Sequence, residues 1–296
     1  MSFNIVVNQN DIVQNGLNST LVYNFPNSVT FKNHQIALIN ANLYYAWQNI
    51  NDTTLQNNKF SYTWTNGTTT TTYQVVIPPG IYEITDINYF LEFTMIENRT
   101  FLIDDQGLNV YYIQIQTNPT AYAIEITTYP VPTSLPVDWT TPSSFAGFPT
   151  TTYNPIVTIF PNFNDIVGFP ANFQTSENLS IGTELNYLST VAPQVQPNSS
   201  LYLSISNIDN RFGIPSSIIY TIVPQVNFNA LISEVPPQFS YCKLIAGTYN
   251  ELRIQLLGLN YAPIDMLDPN MSFMFAIRNV DEDLSGFKTA MQGGKA

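Results

Sequence analysis

Few side chains in this sequence are equipped for chemistry, and they are scattered. The chain holds one histidine, His34, one cysteine, Cys242, and 21 Asp and Glu among 296 residues. A serine or cysteine nucleophile needs a histidine base held by an orienting partner. His34 falls in Lys32-Asn33-His34-Gln35, which reads as a polar surface turn. Structural zinc requires clustered Cys and His, and one of each, far apart, does not supply that cluster. A pair of carboxylates at fixed separation could hydrolyse a glycoside. The local candidates are Asp104-Asp105, Asp209, Asp265, Asp268 and Asp281-Glu282-Asp283. Asp209 and Asp268 adjoin Asn210 and Pro269, and Asp104-Asp105 precede Gln106-Gly107, where aspartate serves turns, and none of the candidates sits in calcium-loop spacing. Phosphate-binding and dinucleotide fingerprints do not occur. The expectation is no enzyme, with no catalytic, metal or cofactor-binding residue. A carbohydrate-active alternative would rest on Asp104 and Asp105.

Aromatic surface is more abundant, with 19 Phe, 18 Tyr and 3 Trp. Trp47, Tyr62 and Trp64 alternate with polar neighbours, as packed strand residues do. Trp139 lies in a proline-rich stretch, where an exposed ring can serve as a sugar platform. A glycan receptor is therefore one candidate partner.

Net charge is −12 and only nine residues are basic. A nucleic-acid face needs clustered Lys and Arg, so direct nucleic-acid binding is not expected, nor docking to anionic membrane. Charged residues make up 10% of the chain while 44% is hydrophobic. The polar surface is built instead from 34 Asn and 31 Thr, with Ser and Gln. Neutral surfaces of this kind suit burial against neighbours in an assembly. A lone cysteine gives no disulfide framework and fits a reducing compartment. No apolar run reaches the roughly 18 residues of a membrane span, and no leader pattern opens the chain.

These residues must be positioned mainly by strands. Apolar alternation appears at 21–31, on odd positions from Ala37 to Trp47, and at 60–64 and 73–77 flanking Asn66-Gly67. Further runs fall at 111–115, 122–126, 155–160, 201–205, 218–222, 239–245, 252–256 and 273–277. Pro26-Asn27 reads as a turn. One helix is expected near 86–97, capped by Thr85 or Asp86. Its stripe is Ile87, Phe90, Leu91, Thr94 and Met95, with Glu92 off it. Asn164 to Phe169 reads as a helical turn closed by Gly168. Two long loops, near 129–154 and 170–200, are expected to face outward for contacts, so that deleting 133–150 would leave the fold intact. The pattern predicts an all-β single jelly roll of two packed antiparallel sheets. An arm at 1–18 and a flexible tail at 281–296 flank a jelly-roll domain at 19–280.

Three stretches carry a resemblance: I-P-P-G-I-Y-E-I-T-D-I-N-Y-F-L at 77–91, N-P-I-V-T-I-F-P-N-F-N-D-I-V-G-F at 154–169, and 236–265 with Glu251, Leu252, Arg253, Ile254 and Leu256. Their order and combination resemble the penton, or minor capsid, proteins of virophages and Polinton-like viruses. The first 70 residues carry no such match. The resemblance implies a jelly roll that forms homopentamers at icosahedral vertices of a virion. It also implies a major capsid protein as neighbour and assembly in the host cytoplasm. The alternative, from another class, is a jelly roll on the virion surface that binds a glycan or receptor.

The family also implies a maturation protease that cuts after double glycine. Met291-Gln292-Gly293-Gly294 resembles its target, so cleavage is expected after Gly294. Intact mass of virion-derived protein checks this: loss of Lys295 and Ala296 is expected, and their retention excludes the cut.

Overall fold

Alternating apolar residues put one oily row on a strand face, and burial of that row decides which strands meet. The structure, a computed structural model, describes residues 2–176, 182–211, 213–267 and 269–281. In chain order the strands are β1 (Ser2–Asn8), β2 (Thr20–Phe31), β3 (His34–Tyr44), β4 (Lys59–Asn66) and β5 (Thr69–Val76), followed by helix α1 (Ile84–Glu97). Then come β6 (Leu102–Ile103), β7 (Asn109–Val110), β8 (Ile113–Asn118), β9 (Ala123–Thr128), β10 (Val157–Ile159) and the short helix α2 (Phe163–Val167). The chain continues with β11 (Leu185–Leu188), β12 (Leu201–Ile205), β13 (Ile208–Asp209), β14 (Ile218–Ile222), β15 (Leu231–Glu234), β16 (Cys242–Leu244), β17 (Gly247–Leu257) and β18 (Ser272–Asn279). The paired strands are antiparallel.

The chain forms two compact units, one from its ends, up to Gln48 and from Asn198, the other from Asn49–Pro197. In the first, one sheet runs β1-β18-β3-β16-β13, with β15 also on β3, and the other runs β14-β12-β17-β2. β15 pairs with one end of β3 and β16 with the other, so the two act as one broken strand. Counting that strand once, and leaving aside the two-residue β13, the eight strands stand in the orders 1-8-3-6 and 5-4-7-2. That interleaving is a jelly roll of two Greek keys. Its core is shared between the sheets: Val7, Ile36 and Phe275 of one meet Leu21, Leu203 and Ile254 of the other.

Bulges correct the alternation read from the sequence. In β3, Ile39 has no partner at the Met274/Phe275 step, and the phase flips there. Ile36 and Leu38 face the core before the bulge, Ala41 and Leu43 after it. Pro26-Asn27 makes no turn. It lies inside β2 at a bulge opposite Asn250, whose side-chain oxygen accepts from Ser28 Oγ at 2.6 Å. A bulge absorbs a residue that has no N–H for the ladder. His34 does not belong to a surface turn either. It opens β3, pairs with Asn279 and stands half-buried 5.2 Å from the Phe31 ring. Residues 2–8 of the expected arm are strand β1, hydrogen-bonded to β18.

In the second unit the sheets are β10-β4-β5, β11-β9-β8 and the pair β6-β7. Helix α1 presses Ile84, Ile87, Leu91 and Met95 into a core with Tyr62, Val75, Ile113 and Ile126. It starts two residues before Asp86. Glu83 is the cap, and the Asp86 carboxylate reaches back to accept the Glu83 N–H at 2.8 Å. α2 closes at Gly168, whose φ of 72° is left-handed. A Cβ at Gly168 would also run into the Val191 carbonyl oxygen. Strands β11, inside the expected loop, and β15 show no pattern in the sequence because each is four residues long and half exposed. The 129–154 stretch packs down instead of projecting freely. Its Trp139, Phe145 and Phe148 pack on Trp64, Leu102 and Val131, and Trp64 Nε1 donates to the Gly147 carbonyl at 3.0 Å.

Each unit ties its own ends together. In the first, Trp47, buried in the core, donates from Nε1 to the Asn198 carbonyl at 3.0 Å. In the second, Asn49 Nδ2 donates to the carbonyls of Tyr82 and Val195, both at 2.7 Å. The sandwich therefore closes around the two points where 49–197 departs and returns. Replacing 49–197 by a short Gly-Ser link is expected to leave a β protein that unfolds in one cooperative transition. A product without cooperative unfolding would show that the jelly roll cannot stand without the inserted residues.

Candidate functional site

The structure does not gather the acidic candidates. Asp104 uses one carboxylate oxygen to accept from the N–H groups of Gln106 and Leu108, at 2.9 and 2.8 Å, which makes it a turn residue. Asp105 beside it is exposed. Asp209 pairs with Arg211 at 3.2 Å on the surface, and Asp281 accepts from Asn33 Nδ2 at 2.8 Å. Burial pushes the half-buried Asp265 carboxyl up. Asp268, Glu282, Asp283, Gly293 and Gly294 lie outside the described residues. Cys242 is half-buried in β16, and burial raises its thiol pKa, away from the reactive thiolate. Among the described residues no three of His, Cys, Asp and Glu gather as a metal would need. Among them, too, no helix is long and apolar enough to cross a membrane.

What the second unit does assemble is a groove of ≈ 570 Å³ around Trp139. The link between β7 and β8 supplies Tyr111 and Tyr112, β8 supplies Gln114, and the prolines 130, 132 and 136 and Glu92 of α1 complete the lining. Trp139 is fixed from its backbone. Its N–H donates to the Pro136 carbonyl at 3.3 Å across a turn in which Asp138 takes a left-handed φ of 65°. The next residue, Thr140, exchanges two hydrogen bonds with Ile103 of β6, at 2.9 and 3.0 Å. Tyr112 is buried and meets Trp64 edge-on at 5.8 Å.

The polar groups are held as firmly. The Ile115 N–H of β8 donates to Asn88 Oδ1 at 2.8 Å, and Asn88 Nδ2 donates to Glu92 Oε1 at 2.7 Å. A strand amide thus orients a buried helix amide, which orients the carboxylate at the rim. Tyr129 Oη donates to Gln114 Oε1 at 3.2 Å, which leaves the Gln114 NH₂ as a donor. Burial raises Glu92, and the Asn88 bond opposes that by favouring the charged form. Burial, then the carboxylates of Glu184 and Glu125, push the Tyr129 phenol up; burial alone raises Tyr112. Both phenols therefore stay protonated at neutral pH. The groove offers flat rings, neutral donors and one oriented carboxylate, and among the described residues no cationic one lines it.

Of these residues the sequence singled out Trp139. Glu92 stood off the helix stripe, and its i, i+4 relation to Asn88 was the available signal. Tyr111, Tyr129 and Gln114 carried none, because only the fold gathers them into one groove with Trp139.

Neither a protein-family model nor a curated protein sequence matches this chain. Among solved structures, the selenomethionine-labelled mavirus penton protein is similar over 95% of this chain and 99% of that chain, at 9% identity and a TM-score of 0.46. At that level of likeness, a functional reading has to rest on the strand order and side chains of this chain.

The Asn88–Glu92 pair has a direct test. By NMR titration of side-chain carboxyls, Glu92 is expected above the ordinary glutamate range, and Asn88→Ala is expected to raise it further. A midpoint that falls on removing Asn88 would refute the hydrogen bond's role.

Proposed function

We propose that this chain is a structural capsid subunit of the penton type, which works by covering its own flanks with copies of itself. The observation that carries this reading is one flank of the jelly roll. Tyr220 of β14 donates its hydroxyl to Glu234 Oε1 of β15 at 2.6 Å, so the edges of the two sheets adjoin there. In the 223–245 segment, which carries β15 and β16 along this side of the sheet, Val223, Val226, Leu231, Val235, Phe239 and Ile245 are all exposed. Six exposed large apolar side chains within 23 residues of a sheet-edge segment suit a surface that a neighbour covers. At the opposite end of the β15/β16 sheet, β1 pairs only with β18 among the described residues and is an edge with Phe3 and Val6 exposed. Such an edge is a template for a neighbouring strand unless it is covered.

The double-Greek-key strand order and the motifs at 77–91, 154–169 and 251–256 support the same reading. The finer terms are a homopentamer at the virion vertex, contact with a major capsid protein, and assembly in the host cytoplasm. The role is one of shape and surface burial, not catalysis.

Native mass spectrometry of the purified chain tests it. A closed ring of five is expected, alone or with major capsid protein. Val235→Asp combined with Phe239→Asp would place carboxylates in a dry contact and is expected to release monomers. Since both side chains are exposed, the monomer's thermal midpoint should not move. A wild-type chain that stays monomeric even with major capsid protein present would overturn the proposal.

A further inference from the structure

We infer that the groove around Trp139 is a binding site for a neutral carbohydrate, recognised through ring stacking and through hydroxyl donation to Glu92. This goes beyond the capsid role and does not depend on it, since the groove belongs entirely to residues 49–197.

The ligand class follows from the groove's chemistry. The lining combines aromatic rings, Trp139 and Tyr111 among them, with a carboxylate, carboxamides and phenols. A sugar presents an apolar C–H face and a rim of hydroxyls that both donate and accept, which matches such a lining. The volume of ≈ 570 Å³ lies within the range of small-molecule sites. Glu92 has one oxygen occupied by Asn88, and its other oxygen has no partner among the described residues. It therefore demands a donor, and its charged hydrogen bond is the strong one. A proline-rich peptide, the other usual occupant of aromatic grooves, brings carbonyl acceptors and few donors. Its walls are also already supplied by this chain's own Pro130, Pro132 and Pro136. An anionic glycan or phosphate would need Lys or Arg, and among the described residues the lining has none, while the chain carries −12.

The positioning is built in advance. Asn88 is 8% exposed and receives its orientation from the β8 backbone, so the carboxylate is aimed before any ligand arrives. Trp139 is locked by its turn and by the pairing of Thr140 with Ile103. A site prepared in this way loses little ordering entropy on binding.

Tryptophan fluorescence of the full chain provides the test, because Trp47 and Trp64 are 0% and 2% exposed and Trp139 is the indole that a ligand can reach. The probes are the methyl glycosides of glucose, galactose, mannose and N-acetylglucosamine, with lactose, cellobiose and chitobiose. Sialyllactose, choline and a polyproline peptide serve as controls. A saturable spectral change with at least one neutral sugar is expected, and Trp139→Ala should abolish it. Glu92→Gln still accepts from Asn88, so the fold is kept. It replaces a charged acceptor by a neutral one and should weaken binding by about tenfold. If Trp139→Ala fails to fold, Glu92→Gln decides alone. No saturable response to any neutral sugar, a response confined to the controls, or unchanged affinity in Glu92→Gln would each overturn the assignment.

Discussion

The architecture depends on how the two ends of a long insertion are held together. Residues 49–197 leave the jelly roll between its third and fourth strands, and Trp47 locks the departure to the return by donating to the Asn198 carbonyl. Closing a free loop of about 150 residues would cost on the order of 4 kcal/mol in chain entropy alone. The insertion removes most of that cost by folding with its own ends adjacent, through Asn49 and its two carbonyl partners at Tyr82 and Val195. Two residues on either side of Gln48 thus make the same connection, once for each unit. Both use a buried polar group fully committed to backbone, which is why neither could be exchanged for an apolar residue of similar size without orphaning a carbonyl.

With its ends held, the jelly roll is governed by strand phase. A two-sheet core tolerates one residue too many only if the strand bulges, since an unbulged slip would turn every following side chain to the wrong face. Ile39 in β3, the 25–28 stretch of β2 and Ile219 in β14, opposite the Leu203/Ser204 step, are places where this happens. The bulge in β3 lets Ile36 and Leu43, on opposite parities, share one core. The same economy appears at β15 and β16, two short strands that between them serve as one partner for β3.

The second unit follows a different logic, in which packing serves a surface. The proline-rich stretch covers Trp64 and Leu102 with Phe145 and Phe148, and in doing so holds Trp139 over the groove. Helix α1 likewise uses one face for the core and the next for the rim. Ile87 and Leu91 are buried, while Asn88 and Glu92, one residue further round, pass a hydrogen bond from β8 out to the groove. A polar surface with few charges is consistent with both habits, since Asn and Thr satisfy backbone groups without the desolvation cost of ions.

Much of this was legible in the sequence because its causes are local. Apolar alternation reports a half-buried strand wherever the strand is long enough, as at β4, β5, β9 and β17. Proline and glycine report where strands stop, and Ile87, Leu91 and Met95 report a helix by their spacing. Those features determine an all-β chain with one substantial helix. The sequence also singled out Trp139 as the ring outside the packed set. Only the tertiary structure decided that 49–197 is a body of its own, that the phase of β3 breaks at Ile39, and that Glu92, Gln114 and Tyr129 meet Trp139. These are facts of pairing between residues tens to hundreds of positions apart. Backbone hydrogen bonds carry no side-chain identity, so the one-dimensional pattern shows that a strand exists but not which strand lies beside it.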